Sequence, residues 1–184
     1  DVNYLDKVAL DAKVDAIYNQ ETGLLTLTEN EAKINNLKLL FEGWVQSFDE
    51  RLAMDLKFQA PNSEFKEILS LVPVVYMEGY EDIQVAGKFT LKGNATGDYF
   101  YEGDDLPGFN LAIHIADGNF KYPDLPSAVT EINMDLDISH EQGETDKTII
   151  DISNSSMKIA GSPFYASLLL LNPVTNPFID LKLK

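Results

Sequence analysis

The chain of 184 residues contains no cysteine, so disulfides, thiolate metal sites and cysteine nucleophiles are all excluded. Basic residues are scarce. Fourteen Lys and Arg stand against thirty Asp and Glu, for a net charge of −16. Nucleic-acid binding needs clustered cations and is therefore excluded as an expectation, and adsorption onto an anionic membrane surface is disfavoured. Long apolar runs are missing too. The two longest, Leu71–Met77 and Ala166–Leu171, fall well short of the roughly 20 residues of a membrane-spanning helix. No basic segment followed by an apolar one marks a leader, and the first residue is Asp1, which suggests a processed chain or an excised piece.

Catalytic side chains are equally sparse. There are two histidines, and none of the common nucleophile, zinc or phosphate-loop patterns occurs. His114 falls on the polar side of an alternating run and His140 in an acidic connector, so both read as solvent-facing structural residues. The acid pairs Glu81-Asp82, Asp104-Asp105 and Asp135/Asp137 read as solvated surface in so acidic a chain. Asp117-Gly118-Asn119 and Gly103-Asp104-Asp105 lack the ligand spacing of a calcium loop. No catalytic residue, metal or cofactor is expected. Two glycosylation tripeptides, Asn94-Ala95-Thr96 and Asn154-Ser155-Ser156, carry meaning only in a secreted, glycosylated context.

What the sequence does have is period two. Alternation of apolar and polar residues runs through Val8–Tyr18, Leu52–Phe58, Ile83–Leu91, Phe109–Ile115 and Ile132–Ile138. Weaker strands fit Leu24–Thr28, Glu31–Asn36, Lys38–Val45, Asn119–Tyr122, Thr148–Ser153, Ser156–Ala160, Phe164–Leu171 and Phe178–Lys184. Such alternation gives each strand one apolar and one wet face, the mark of antiparallel sheets covered on one side. Polar or Gly/Pro-rich connectors are expected at Asn19–Gly23, Gly93–Gly97, Gly103–Gly108 and His140–Lys147. Gly43, Gly87 and Gly161 are expected at bulges or bends. One segment, 63–71, has helical spacing of Phe65, Ile68 and Leu69, with Asn62 or Ser63 as cap and Pro61 and Pro73 at its limits. The fold class is therefore mainly β: a curved, mostly antiparallel sheet, as a trough or open sandwich, with one short helix. Residues 1–184 read as a single β-rich unit with a weak internal division near 103–108.

Several Gly, Pro and apolar patterns carry a resemblance. Phe65–Pro73, Val85–Gly93, Leu106-Pro107-Gly108-Phe109, Asp117–Pro123 with Leu125-Pro126, and Ile159–Phe164 with Leu171-Asn172-Pro173 resemble the AsmA-like family of Gram-negative envelope proteins. The resemblance covers roughly residues 30–184. It implies a periplasmic β-rich body tethered by an N-terminal inner-membrane helix absent from this chain. It also implies kinship to TamB-like and chorein-type bridge proteins, and a role in outer-membrane biogenesis. The partners implied are phospholipid acyl chains, guided along an apolar β-groove, and adjoining segments of a longer parent chain. The expected liners are the apolar-side positions Ile83, Val85, Phe89, Leu91, Phe109, Leu111, Ile113 and Ile115. The rival expectation is a closed β-sandwich serving as a non-catalytic scaffold in the cell envelope.

Overall fold

A computed structural model describes residues 9–69, 83–122 and 127–184. The expected stretch Leu71–Met77, Pro73, Glu81-Asp82 and the prolines at 123 and 126 lie outside the described residues. The strands are β1 (Leu10–Lys13), β2 (Ala16–Asn19), β3 (Leu24–Ile34), β4 (Leu37–Ser47), β5 (Arg51–Glu64), β6 (Gln84–Phe100), β7 (Gly108–Lys121), β8 (Val129–His140), β9 (Thr148–Ile159), β10 (Ser162–Leu171) and β11 (Phe178–Leu183). They form one open, curved, antiparallel sheet in the order β1-β3-β4-β5-β6-β7-β8-β9-β10-β11, with β2 also on β3. Among the described residues the one α-helix, α1 (Phe65–Leu69), follows β5 directly. No second sheet covers the first among the described residues, so the closed sandwich is not formed. The sheet runs without a break across the connector at 103–108.

Curvature follows from bulges set in neighbouring strands. Register shifts fall at Ala60/Ser63 in β5, Ala86/Lys88 in β6, Ile115/Gly118 in β7 and Thr130/Asn133 in β8. Asn62, Asp117 and Glu131 take positive φ within these shifts, and Gly87 has φ 116°. Each bulge adds an unpaired residue, bends its strand and sharpens the local twist. Aligned across four strands, they crease the sheet. Leu37, Ala60, Phe89 and Ile115 form the buried cluster beside this crease, with Phe65 of α1 packed against it.

Several expectations are corrected. Val8–Tyr18 is not one strand: β1 and β2 lie end to end along β3, and the chain steps at Val14–Asp15, where Asn30 accepts the Asp15 amide. Gly93–Gly97 is no connector but the interior of β6, with residues 93–96 paired on both sides with β5 and β7 and Gly97 paired with β5. Two ladders override the poor strand propensity of Gly and Asn there, and the Phe58 ring occupies the space a side chain at Gly93 would fill. Asn62 and Ser63 do not cap the helix; with Pro61 they belong to β5, where the bulge accommodates the proline. Gly161 sits in a hairpin turn with Ala160 instead of a bulge: their φ values of 81° and 51° are the left-handed pair that a two-residue I′ turn needs. His140 is not exposed. It is 4% accessible, stacked on Phe109 at 5.1 Å, with Nδ1 2.9 Å from the Thr148 hydroxyl.

Candidate functional site

Antiparallel register brings the apolar side chains of successive strands into rows. One row crosses seven strands as Ala60, Leu91, Ile113, Leu136, Ile152, Leu168 and Leu181. The adjacent row runs Phe41, Phe58, Gly93, Leu111, Ile138, Ile150, Leu170 and Ile179. At roughly 4.8 Å between strands, the first row is about 29 Å long. Side chains on one face of a pleated sheet lie side by side, so the two rows make a continuous oily band.

The expected liners fall on this face. Phe89 pairs with Ile115, Leu91 with Ile113, and Leu111 and Phe109 sit opposite Gly93 and Ala95. Val85 alternates with them, and Ile83 immediately precedes β6. Their environments differ. Phe89 and Ile115 are buried in the crease at 1% and 3% exposure, whereas Ile83, Val85, Leu91, Phe109, Leu111 and Ile113 are half-exposed. Phe89 and Ile115 therefore hold the bend, Leu91 and Ile113 pack against their cluster while staying partly exposed, and Val85, Phe109 and Leu111 lie further along the same face. Leu136, Ile150, Ile152, Leu168 and Leu170 extend that band and were outside the expected set; the alternation of Ile132–Ile138 already marked the first of them.

The opposite face is polar and carries its own recess of about 930 Å³. It is lined by the row Glu42, Lys57, Asn94, Asn110 and Ser139 and the row Leu40, Gln59, Lys92, Ala112 and Asp137, with Phe41, Phe58, Gly93, Leu111 and Ile138 of the intervening row and Glu29 and Asn30 of β3 also contributing. No sequence motif singled out the two polar-face rows, because each member is an ordinary wet-face residue of its own strand and only register gathers them. On the same face, His114 Nδ1 lies 2.6 Å from Asp135 Oδ1. That hydrogen bond is the main cause holding the Asp135 carboxyl below the usual carboxylate value; burial opposes it, and the Asn154 amide lowers it to a lesser degree. Asp146 is likewise lowered, by the Thr175 hydroxyl and the backbone amides of Val174 and Thr175.

Among the described residues no three His, Asp or Glu side chains gather as a metal site. His114 and His140 lie on opposite faces, one in the exposed pair with Asp135 and the other packed on Phe109. No helix among the described residues is long and apolar enough to cross a membrane. No protein-family model, curated protein or solved structure matches the chain significantly.

Proposed function

We propose that this chain is a periplasmic segment of an AsmA-like envelope protein and that it binds or guides phospholipid acyl chains along its apolar sheet face. One observation carries the reading: two adjacent apolar rows cross seven or more strands of a single-layered sheet, and apart from the buried Ala60 their residues remain partly or largely exposed. A soluble chain does not ordinarily leave so large an oily surface without an occupant. Magnitudes favour a two-tailed ligand. A chain of sixteen carbons gains about 12 kcal/mol when fully removed from water, at about 0.8 kcal/mol per methylene. Lying on one open face it is covered on about half its surface, so one tail gains about 6 kcal/mol. Association alone costs about 4 kcal/mol or more, so one tail binds weakly and two bind well. The net charge of −16 opposes a grip on anionic head groups, which leaves the tails as the point of contact.

The test is direct. The 184-residue chain is purified from Gram-negative cells, extracted with organic solvent and assayed for phospholipid by mass spectrometry. Phospholipid near unit stoichiometry is expected. It should be lost in folded Ile113→Asp and kept in Ala112→Asp, whose neighbouring position faces the polar side. Absence of lipid from the folded parent chain would overturn the reading.

A further inference from the structure

The polar recess lies on the face opposite the oily rows, so a site there does not rest on the acyl-chain reading. Its volume of about 930 Å³ falls within the span of about 300–1,000 Å³ usual for small-molecule sites. It crosses the sheet from Glu42 on β4 to Ser139 on β8, a length of about 19 Å at the ordinary spacing between strands. That is a trough for several linked rings, too long for one.

The side chains in it are uncommitted. Lys57 stands directly opposite Glu42, and Asp55 lies two residues away on the same face of β5. Such cross-strand neighbours have Cβ atoms about 5 Å apart, within reach of an ion pair. Elsewhere in the sheet opposite charges do join: Lys38 to Glu31 at 2.7 Å, Arg51 to Asp98 at 2.9 Å and Lys158 to Glu131 at 2.6 Å. Among the described residues, Glu42, Asp55, Lys57, Lys92 and Asp137 make no ion pair and no side-chain hydrogen bond. Asn110 donates to Asn94 only at 3.5 Å, which leaves the other amide donors and acceptors of both open. Ala112 separates Lys92 from Asp137, and its small side chain keeps the floor low between them.

This donor set selects against net charge in a ligand. An anion would meet Glu42, Asp55 and Asp137, and a cation would meet Lys57 and Lys92. Hydroxyl groups donate to carboxylates and accept from ammonium and amide groups, so a neutral polyol suits every one of these side chains. Trp44 supplies an apolar platform. It is the only tryptophan of the chain, is 36% exposed, follows Glu42 on the same face and pairs in register with Asp55, at the margin of the recess. An exposed indole offers a flat surface that the C–H face of a sugar ring can cover. We propose that the recess binds a neutral oligosaccharide, with hydroxyls held by Lys57, Lys92, Asn94, Asn110 and Asp137 and one ring stacked on Trp44.

An array of neutral and acidic glycans tests it, probed with the tagged chain bridged by an antibody so that weak contacts are multiplied. Retention on neutral glycans is expected. The retained glycan is then titrated in solution, where Trp44, as the single tryptophan, reports its own contact by fluorescence. Lys92→Ala and Asn110→Ala should each weaken binding about tenfold. Trp44→Ala, followed by calorimetry, should weaken it similarly, and Trp44→Phe should recover most of the loss. Lys158→Ala, outside the recess, should leave affinity unchanged. The substituted recess positions are exposed, so circular dichroism should stay that of the parent chain. An array with no glycan retained, or with acidic glycans alone, would overturn the proposal. So would binding that Lys92→Ala and Asn110→Ala leave intact, because the contact would then lie elsewhere.

Discussion

Ile113 and Ile115 share a strand, a face and a side chain, and differ in what covers them. Ile115 is 3% exposed in the crease with Leu37, Ala60 and Phe89, whereas Ile113 packs against the rim of that cluster and is only partly buried, with its outer side on the open band. Truncation to Ala removes three carbons at either site, about 2.4 kcal/mol of transfer free energy where burial is complete. Ile115→Ala adds a cavity that the creased backbone cannot close, so a loss of about 3–4 kcal/mol is expected. Ile113→Ala loses about half the transfer contribution and leaves no enclosed void, for about 1 kcal/mol. Urea unfolding followed by circular dichroism measures both, with m-values checked for constancy between variants. Against a total stability of about 5–15 kcal/mol, the difference between the two is readily resolved. Equal losses above about 2.5 kcal/mol at both sites would show that Ile113 lies under cover, and the open apolar face would have to be abandoned.

Two other perturbations probe the bent sheet and its polar face. Gly43 holds φ 130°, and a Cβ there would lie 2.0 Å from the Asp55 carbonyl oxygen, so Gly43→Ala should cost about 2–5 kcal/mol. Gly103→Ala, at φ 101° with nothing within 4 Å, should cost about 1 kcal/mol; equal urea midpoints for the two would refute the close approach of β4 and β5. Asp135 should titrate below an ordinary aspartate by carboxyl NMR and move up in His114→Ala. Because its folded pKa is depressed, the contact contributes above the unfolded value and fades as pH falls through the folded one. An unchanged Asp135 titration in His114→Ala would show that the pair is not formed.

Much of this architecture could be read from residue order, for a definite reason. Where apolar and polar residues alternate cleanly, as in Ile132–Ile138, one face must be buried and register becomes nearly compulsory. The same rule collected the expected liners on one face. It failed where partners overrode local preference. Gly93–Gly97 reads as a loop until β5 and β7 are seen to pair with it from both sides, and Pro61 reads as a strand end until a bulge takes it in. The burial of His140 depends on Phe109, thirty-one positions earlier in the chain, and on the Thr148 hydroxyl beyond the following connector. No short window holds that information. The polar recess was invisible for the same reason, since six strands each supply unremarkable residues to it.

The central claim is that acyl chains lie on the oily rows and nowhere else. Methyl NMR of the chain loaded with a phosphatidylcholine bearing a nitroxide at mid-tail reads this residue by residue. Broadening of the Ile113, Leu136, Ile152 and Leu168 methyls, with Leu40 and Ala112 on the opposite face left sharp, is the predicted result. Sharp methyls throughout, or broadening confined to the polar recess, would contradict it.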